Sequence, residues 1–416
     1  MAIADSTTLS TTQDTPPLPV WELVCIVAGL MALNALAIDI MLPALSDMQA
    51  YFQLSNENAQ QRVVVVYVVG LGLSQLFYGP LTDRFGRKPV LGWALLVYII
   101  AALACLIAPS FELLLLARFI QGASAGATRV VATTIIRDFY SGRRMAEIMS
   151  VVMLIFAAAP ILAPSIGLGV LSLFGNWHSV FLALAIYAFI VAVWSMVRLP
   201  ETLKPENRTA LRPDTIFKSY KSVFTNRISI GYMLASAFIF ANLFSYIAAS
   251  EQIYSDVFGI GASFPFWFAG VAGCMAISNL TNSKLVRSVG MRRLSHTALL
   301  VMLIANILHA LLSISGHETF VSFYILMVIS FLAMGFVGAN FNATAMEPLG
   351  RIAGTGSALY GFTTTFGSGV IGGWIASFYD GTTGPLFVGN ALALGAAFSI
   401  ICLTERGRLF SSSQSV

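Results

Sequence analysis

The sequence predicts an all-helical membrane protein of twelve spans arranged as two six-helix halves, on three observations. Of its 416 residues, 57% are hydrophobic and only 10% are charged, against about 25% charged in an ordinary soluble domain. The apolar residues gather into about twelve runs near the roughly 20 residues that cross a bilayer. The longest charged break, PETLKPENRTALRPDTIFKSYKSVFTNR at 200–227, falls in the middle, with six runs before it and six after. A chain this apolar cannot cover a water-facing surface, so the solvent along its sides is lipid.

Residues 1–19 are rich in Ser, Thr and Pro and contain no Lys or Arg. They read as a disordered tail and not as a cleaved signal. The first half, 20–199, holds spans at 20–42, 62–79, 90–108, 112–134, 145–172 and 180–199. The linker is 200–227. The second half, 228–404, holds spans at 228–249, 262–281, 296–314, 320–343, 354–378 and 384–404, and a second tail covers 405–416. Basic residues set the orientation. Arg84, Arg87 and Lys88, then Arg137, Arg143 and Arg144, then the linker, then Lys284, Arg287, Arg292 and Arg293, then Arg351, Arg406 and Arg408 all fall on one side, and the opposite breaks hold only Arg62. Both termini and the linker are therefore expected in the cytoplasm, with the chain in the cell (inner) membrane. The same topology accounts for the basic balance, and no basic–aromatic interleaving points to nucleic acid. Cys25, Cys105, Cys274 and Cys402 lie inside apolar runs, read as small buried hydrophobes, and imply no disulfide framework.

The two halves look related. GPLTDRFGRKPVL (79–91) precedes the third span and NSKLVRSVGMRRL (282–294) the ninth, each with a glycine, Gly86 or Gly290, just before a basic pair. Parallel six-helix repeats are a common transporter plan, with the site between the halves.

The first of these loops resembles the G-x-L-x-D-R-x-G-R-K loop of the major facilitator superfamily, at Gly79, Leu81, Asp83, Arg84, Gly86, Arg87 and Lys88. Gly86 permits a tight turn, and the basic residues can pair with acids on neighbouring helices, a cluster able to hold one conformation and release it in another. A plain cytoplasmic anchor is the simpler reading. The resemblance makes Asp138, in IIRDFY beside Arg137, the acid these residues engage. The fourth span, LLARFIQGASAGATRVV (115–131), resembles the family's R-x-x-Q-G helix at Arg118, Gln121 and Gly122. The fifth, LIFAAAPILAPSIGLG (154–169), resembles its antiporter helix through Pro160, Pro164, Gly167 and Gly169. Ala159 and Ala163 replace the glycines that usually precede those prolines, which weakens the case for antiport over symport.

Charges inside spans are expensive and mark pathways. Asp39, in LNALAIDIMLPAL (33–45), and Arg118 lie at similar depth near the outer ends of the first and fourth spans, which in this fold both line the central cavity. They are expected to interact directly or through water, either as a proton-coupling pair or as a static one. Arg129 follows Arg118 by about three turns on nearly the same face. Two readings stand: contact with an anionic or carbonyl-bearing substrate, or snorkelling to the inner interface. The expected cavity also takes in Asn34, Gln121 and Phe156 from the first half, and Phe240, Asn242, Phe244, Tyr246, Asn340 and Tyr360 from the second, an aromatic, amide-dotted wall. Glu347, near Arg351, is expected at a cytoplasmic gate.

LAIDIMLPAL, ARFIQG, AAAPILAPSIG and ANFNATAMEPLGRIAGTGSAL narrow the resemblance to the bicyclomycin/chloramphenicol-resistance (Bcr/CflA) group of drug:H+ antiporters, over nearly the whole chain. It implies alternating-access export of varied small organic molecules in exchange for protons by a monomer. The residues themselves hold no catalytic constellation, no nucleotide-cradling loop and no metal set, and His178, His296, His309 and His317 lack ligand spacing. No cofactor is expected, and transport must draw on an ion gradient. A proton-coupled uptake symporter, or a non-transporting sensor or scaffold, are the alternatives.

Overall fold

Lipid offers the backbone no hydrogen bonds, so a chain that crosses it must satisfy its peptide groups internally, and a helix does so within each segment. The computed structural model describes residues 18–410 except 57, 141, 204 and 209–212, and no strand occurs among them. Most of the two predicted tails, Lys204 and Arg212 lie outside the described residues, as do the side chains of Arg143 and Arg351.

The long helices of the first half are α1 Val20–Asp39, α2 Arg62–Phe85, α3 Arg87–Leu106, α4 Phe111–Phe139, α5 Gly142–Phe174 and α6 His178–Arg198. Those of the second are α7 Arg227–Gln252, α8 Phe264–Val289, α9 Met291–Ile314, α10 Phe320–Met346, α11 Ala353–Ala376 and α12 Gly384–Thr404, where α11 is broken by a π turn at Thr363–Gly367. Ten of the helical runs are long and apolar enough to cross a membrane. The other two of the expected twelve are α4, which carries Arg118 and Arg129, and the interrupted α11. Several helices outrun the apolar stretches: α2 reaches Phe85, α4 Phe139 and α8 Val289. Apolarity marks only the lipid-facing length, and the backbone goes on helically past it. α1 does the reverse. It stops at Asp39, short of the expected 42, because Pro43 opens a 3₁₀ turn at Leu42–Ala44 and cannot continue a helix ladder.

Each half packs within itself: α2 and α3 on α4, α3 on α6, α1 on α4, α5 and α6, and likewise α7 on α10, α11 and α12, α9 on α10 and α12, and α8 on α10. Between apolar helices in lipid there is little hydrophobic drive, so association rests on close backbone approach. α2 and α4 exchange glycines for this. A Cβ on Gly122 would lie 2.0 Å from the Tyr67 carbonyl oxygen, and one on Gly70 would lie 2.4 Å from that of Phe119. Glu22 pins α1 to α6 through both oxygens, 2.5 and 2.7 Å from Arg198 nitrogens.

The halves meet along two seams, α2 against α11 and α5 against α8. Both described chain ends, Leu18 and Phe410, adjoin helices at one end of the molecule, called here the terminal end. At the far end side chains bridge the halves: Gln61 to Gln252 at 2.6 Å, Ser46 to Glu251 at 2.8 Å, and Asn58 to the carbonyls of Ser377 and Tyr379 at 3.0 and 2.7 Å. Midway, Gln75 donates to Thr365 at 3.2 Å.

Candidate functional site

Arg118 is fully buried, and its guanidinium is satisfied mainly by backbone. Nε donates to the Val63 carbonyl in the first turn of α2 (3.1 Å), Nη2 to the Ala37 carbonyl in the last turn of α1 (3.1 Å), and Nη1 to the amide oxygen of Gln121 one turn on (2.7 Å). The last carbonyls of a helix lack intrahelical donors and carry its negative end, so the charge is well placed on α1. The guanidinium carbon also stands 4.4 Å over the ring of Tyr67, a favourable cation–π approach.

Asp39 is the last residue of α1, two beyond Ala37, and is buried, with Oδ1 lacking any hydrogen-bond partner. Of the two expected arrangements, direct or through water, the direct Asp39–Arg118 pair does not form among the described residues. Arg118 is occupied by the α1 backbone instead. Asp39 also lies at the very end of its helix, not a turn inside it. α5 crosses beside it at Gly167, where a Cβ would fall 1.9 Å from the Ile40 carbonyl, and Tyr246 of α7 lies within electrostatic range. Pro160 and Pro164 sit inside an unbroken α5. A Cβ on Gly169 would meet nothing within 4 Å, so only one of the two motif glycines is packed.

From Arg118 a polar track runs along α4. The Tyr67 hydroxyl approaches the Asn34 amide oxygen at 3.5 Å, and the Asn34 amide donates to Thr128 at 2.9 Å. The next residue is Arg129. Its place follows from helix geometry. At 100° per residue it falls nearly over Arg118 and almost opposite the exposed stripe of Leu113, Leu116 and Ile120. It therefore points away from that lipid-facing stripe, and its surface is exposed. A side chain on the inner face that still meets solvent stands in a cavity. Tyr360 of α11, in the opposite half, lies within electrostatic range of it. The Tyr360 hydroxyl bonds Ser236 at 3.1 Å and approaches the Gly338 carbonyl at 3.5 Å.

The other expected cavity residues divide. Phe156, Phe240 and Phe244 are partly exposed. Tyr246 is not a lining residue here: it is buried, bonds Tyr254 at 3.2 Å and packs between Phe268 and Phe331. Asn242 and Asn340 also turn into their own half, to Ser330 (3.5 Å) and Asn282 (2.8 Å). Helix rotation decides this, and rotation is not legible from composition.

At the terminal end Arg87 opens α3. It contacts Asp83 at 3.1 Å and Asp138 at 3.2 Å and donates to the Thr82 carbonyl at 2.9 Å. Arg84 and Arg137 are exposed and Lys88 is partly so, with no ion pair among the described residues. A Cβ on Gly79 would meet nothing within 4 Å. Glu347 pairs with Arg292 at 3.3 Å. Glu201 went unnoticed in the sequence. Its carboxylate accepts from the backbone amides of Arg87 (3.0 Å) and Lys88 (3.1 Å), capping α3 where a helix attracts an anion. The half-chain repeat could have found it, because Glu405 follows Glu201 by the same spacing as Gly290 follows Gly86. Two histidines are structural: His296 bonds Tyr232 at 2.9 Å and His309 bonds Glu318 at 2.6 Å.

The chain matches the family model of the Major Facilitator Superfamily over residues 27–373. A bicyclomycin resistance protein homolog of Haemophilus influenzae is 28% identical over 383 residues, 91% of this chain and 94% of that protein. Multidrug resistance protein D of Escherichia coli is 28% identical over 388 residues, 90% of this chain and 92% of that one. A solved peptide transporter, POT in complex with sulfate, superposes with a TM-score of 0.72 at 14% identity, over 94% of this chain and 96% of that chain. Helices, seams and sequence agree: the chain belongs to the major facilitator superfamily and is a multi-pass membrane transporter, similar in sequence to the superfamily's bicyclomycin- and multidrug-resistance members.

Proposed function

We propose that this protein is a proton-coupled exporter of small organic compounds, working by alternating access in the inner membrane with both termini in the cytoplasm. The observation that carries the reading is Asp39, a buried carboxyl with an unmet oxygen at the end of α1, between the α1 backbone that Arg118 holds and the opposite half. A carboxylate buried without cation or donor is strongly disfavoured, and the neutral acid is far cheaper to hold. With the far end bridged, the conformation fits one open toward the cytoplasm. Rocking of the halves separates Gln61 from Gln252 and Ser46 from Glu251, wets the end of α1 and lets Asp39 exchange its proton outside. Arg118 stays with the first half and keeps α1, α2 and α4 together as one body. The curated relatives, named for bicyclomycin and multidrug resistance, favour drug-like cargo and export.

The test is flux in proteoliposomes under an imposed pH gradient. The expected result is uphill movement of drug against inward proton flow, lost in Asp39→Asn while that variant stays monodisperse in detergent. Full gradient-driven antiport by Asp39→Asn would refute the assignment, and movement of solute with the protons would establish uptake instead.

A further inference from the structure

We infer that Arg129 makes the central cavity a site for amphiphilic organic anions, compounds with one carboxylate, sulfonate or phosphate on an aromatic or aliphatic body. This rests on the transport reading above and narrows its substrate class.

Two intramembrane arginines share one face of α4 and are treated oppositely. Arg118 is fully buried and spends its donors on two carbonyls, an amide and a tyrosine face. Arg129 is exposed to the cavity, and its guanidinium has no hydrogen bond and no acid within 4 Å among the described residues. An arginine presents five donors in a fork that matches an oxyanion in two-pronged fashion. Its local surroundings supply none. The neighbouring Asn34 is already turned to Thr128, and the group facing it from α11 is the Tyr360 phenol, held by Ser236 and near the Gly338 carbonyl. The Phe240 ring lies against Gly338, 3.3 Å from where a Cβ would stand. Across the cavity from one cation there is thus an aromatic wall with a hydroxyl. That pairing suits a molecule with an anionic head and an apolar body, and it repels organic cations. Thr128, the residue before Arg129, bonds Asn34, which approaches Tyr67 under the Arg118 guanidinium, so the proposed head-group position and the Arg118 site lie on one helix, α4.

The experiment compares 1-naphthoate with its uncharged methyl ester in proteoliposomes of the full chain, wild type, Arg129→Gln and Arg129→Lys, with a neutral drug and an organic cation alongside. The naphthoate-to-ester transport ratio divides out any general loss of activity. It is expected to favour naphthoate at least tenfold in the wild type, to fall at least tenfold in Arg129→Gln, and to be partly kept in Arg129→Lys, which retains charge without the fork. A ratio unchanged in Arg129→Gln, a wild type that prefers the ester or the cation, or inhibition by chloride equal to that by naphthoate, marking an inorganic-ion site, would each overturn the inference. If Arg129→Gln moves neither probe, protection against thermal unfolding in detergent decides. Protection by naphthoate kept in that variant overturns the inference, and protection lost for naphthoate alone supports it. Movement of drug without naphthoate sinks this inference only, whereas a wild type that moves nothing under a pH gradient sinks the transport reading with it.

Discussion

The two halves place the same device at the terminal end and build it differently. In each, a glycine with positive φ, Gly86 at 103° or Gly290 at 89°, precedes an arginine at the start of a helix. In the first half Arg87 is nearly buried and meets two acids, Asp83 and Asp138, while Glu201 sits on the backbone amides of α3. In the second half Arg292 meets Glu347 and Glu405 directly (3.3 and 3.0 Å), and Glu405 also accepts from the Tyr232 hydroxyl at 2.8 Å. Within the bilayer the contrast grows. α1 and α4 carry Asp39, Arg118 and Arg129, whereas the second half offers the Tyr360 phenol and the partly exposed rings of Phe240 and Phe244. Equivalent scaffolds thus hold unequal chemistry: the first half concentrates charge, and the second supplies surface.

Four experiments can break or sharpen that contrast, from the largest expected effect to the smallest. Asp39→Asn should cut gradient-driven transport by about 100-fold or more, whereas Asn306→Asp, which puts a carboxyl in the second half, should not restore it. Rescue by that second change would mean charge location is unimportant. Arg118→Gln strips donors from the ends of α1 and α2 and should cost about 2–4 kcal/mol of stability in detergent unfolding. A loss of transport with no loss of stability would instead make Arg118 a proton-path residue alone. Gly86→Ala combines a disfavoured φ with a Cβ only 2.5 Å from Glu201, whereas at Gly290 a Cβ meets nothing within 4 Å. The first should therefore cost about 2 kcal/mol and the second about 1 kcal/mol, and equal costs would mean that Glu201 yields freely. Asp138→Asn, which weakens contacts to Arg87 and to Thr202 (2.6 Å), should cost about 1 kcal/mol. Its counterpart Glu347→Gln, with a side chain 53% exposed, should stay below about 0.5 kcal/mol.

Much of this architecture is legible in the sequence. A bilayer forces long apolar runs, and topology writes the basic residues into alternate breaks, so the helices and the repeat were visible. The Arg87–Asp138 contact is legible because the family resemblance implies an acid at the end of the fourth span for the loop's basic residues, and Asp138 matches it. Arg118 stands out in the sequence, but its partners do not, for a definite reason. They are the carbonyls of Val63 and Ala37, which every residue type possesses, so no sequence pattern marks them. The inward turn of Tyr246, Asn242 and Asn340 into their own half is not legible, because the rotation of a helix depends on packing. Where polarity runs nearly all round, as on α7, one residue of register turns a side chain by 100°. Glu201 was hidden in an ordinary charged linker, and only its twin at Glu405 distinguishes it.

The far-end bridges have a consequence for the medium the protein lives in. Asn58, Gln61 and Gln252 are neutral, and Ser46 brings no charge to Glu251. Salt weakens contacts between ions over a distance of about 10 Å at 0.1 M but scarcely touches an amide–amide bond. In the proposed orientation this seal faces surroundings whose salinity the cell does not control, while the ionic clusters at Arg87 and Arg292 sit in a composition it regulates. A closed outer door made of amides stays equally shut in brine and in fresh water.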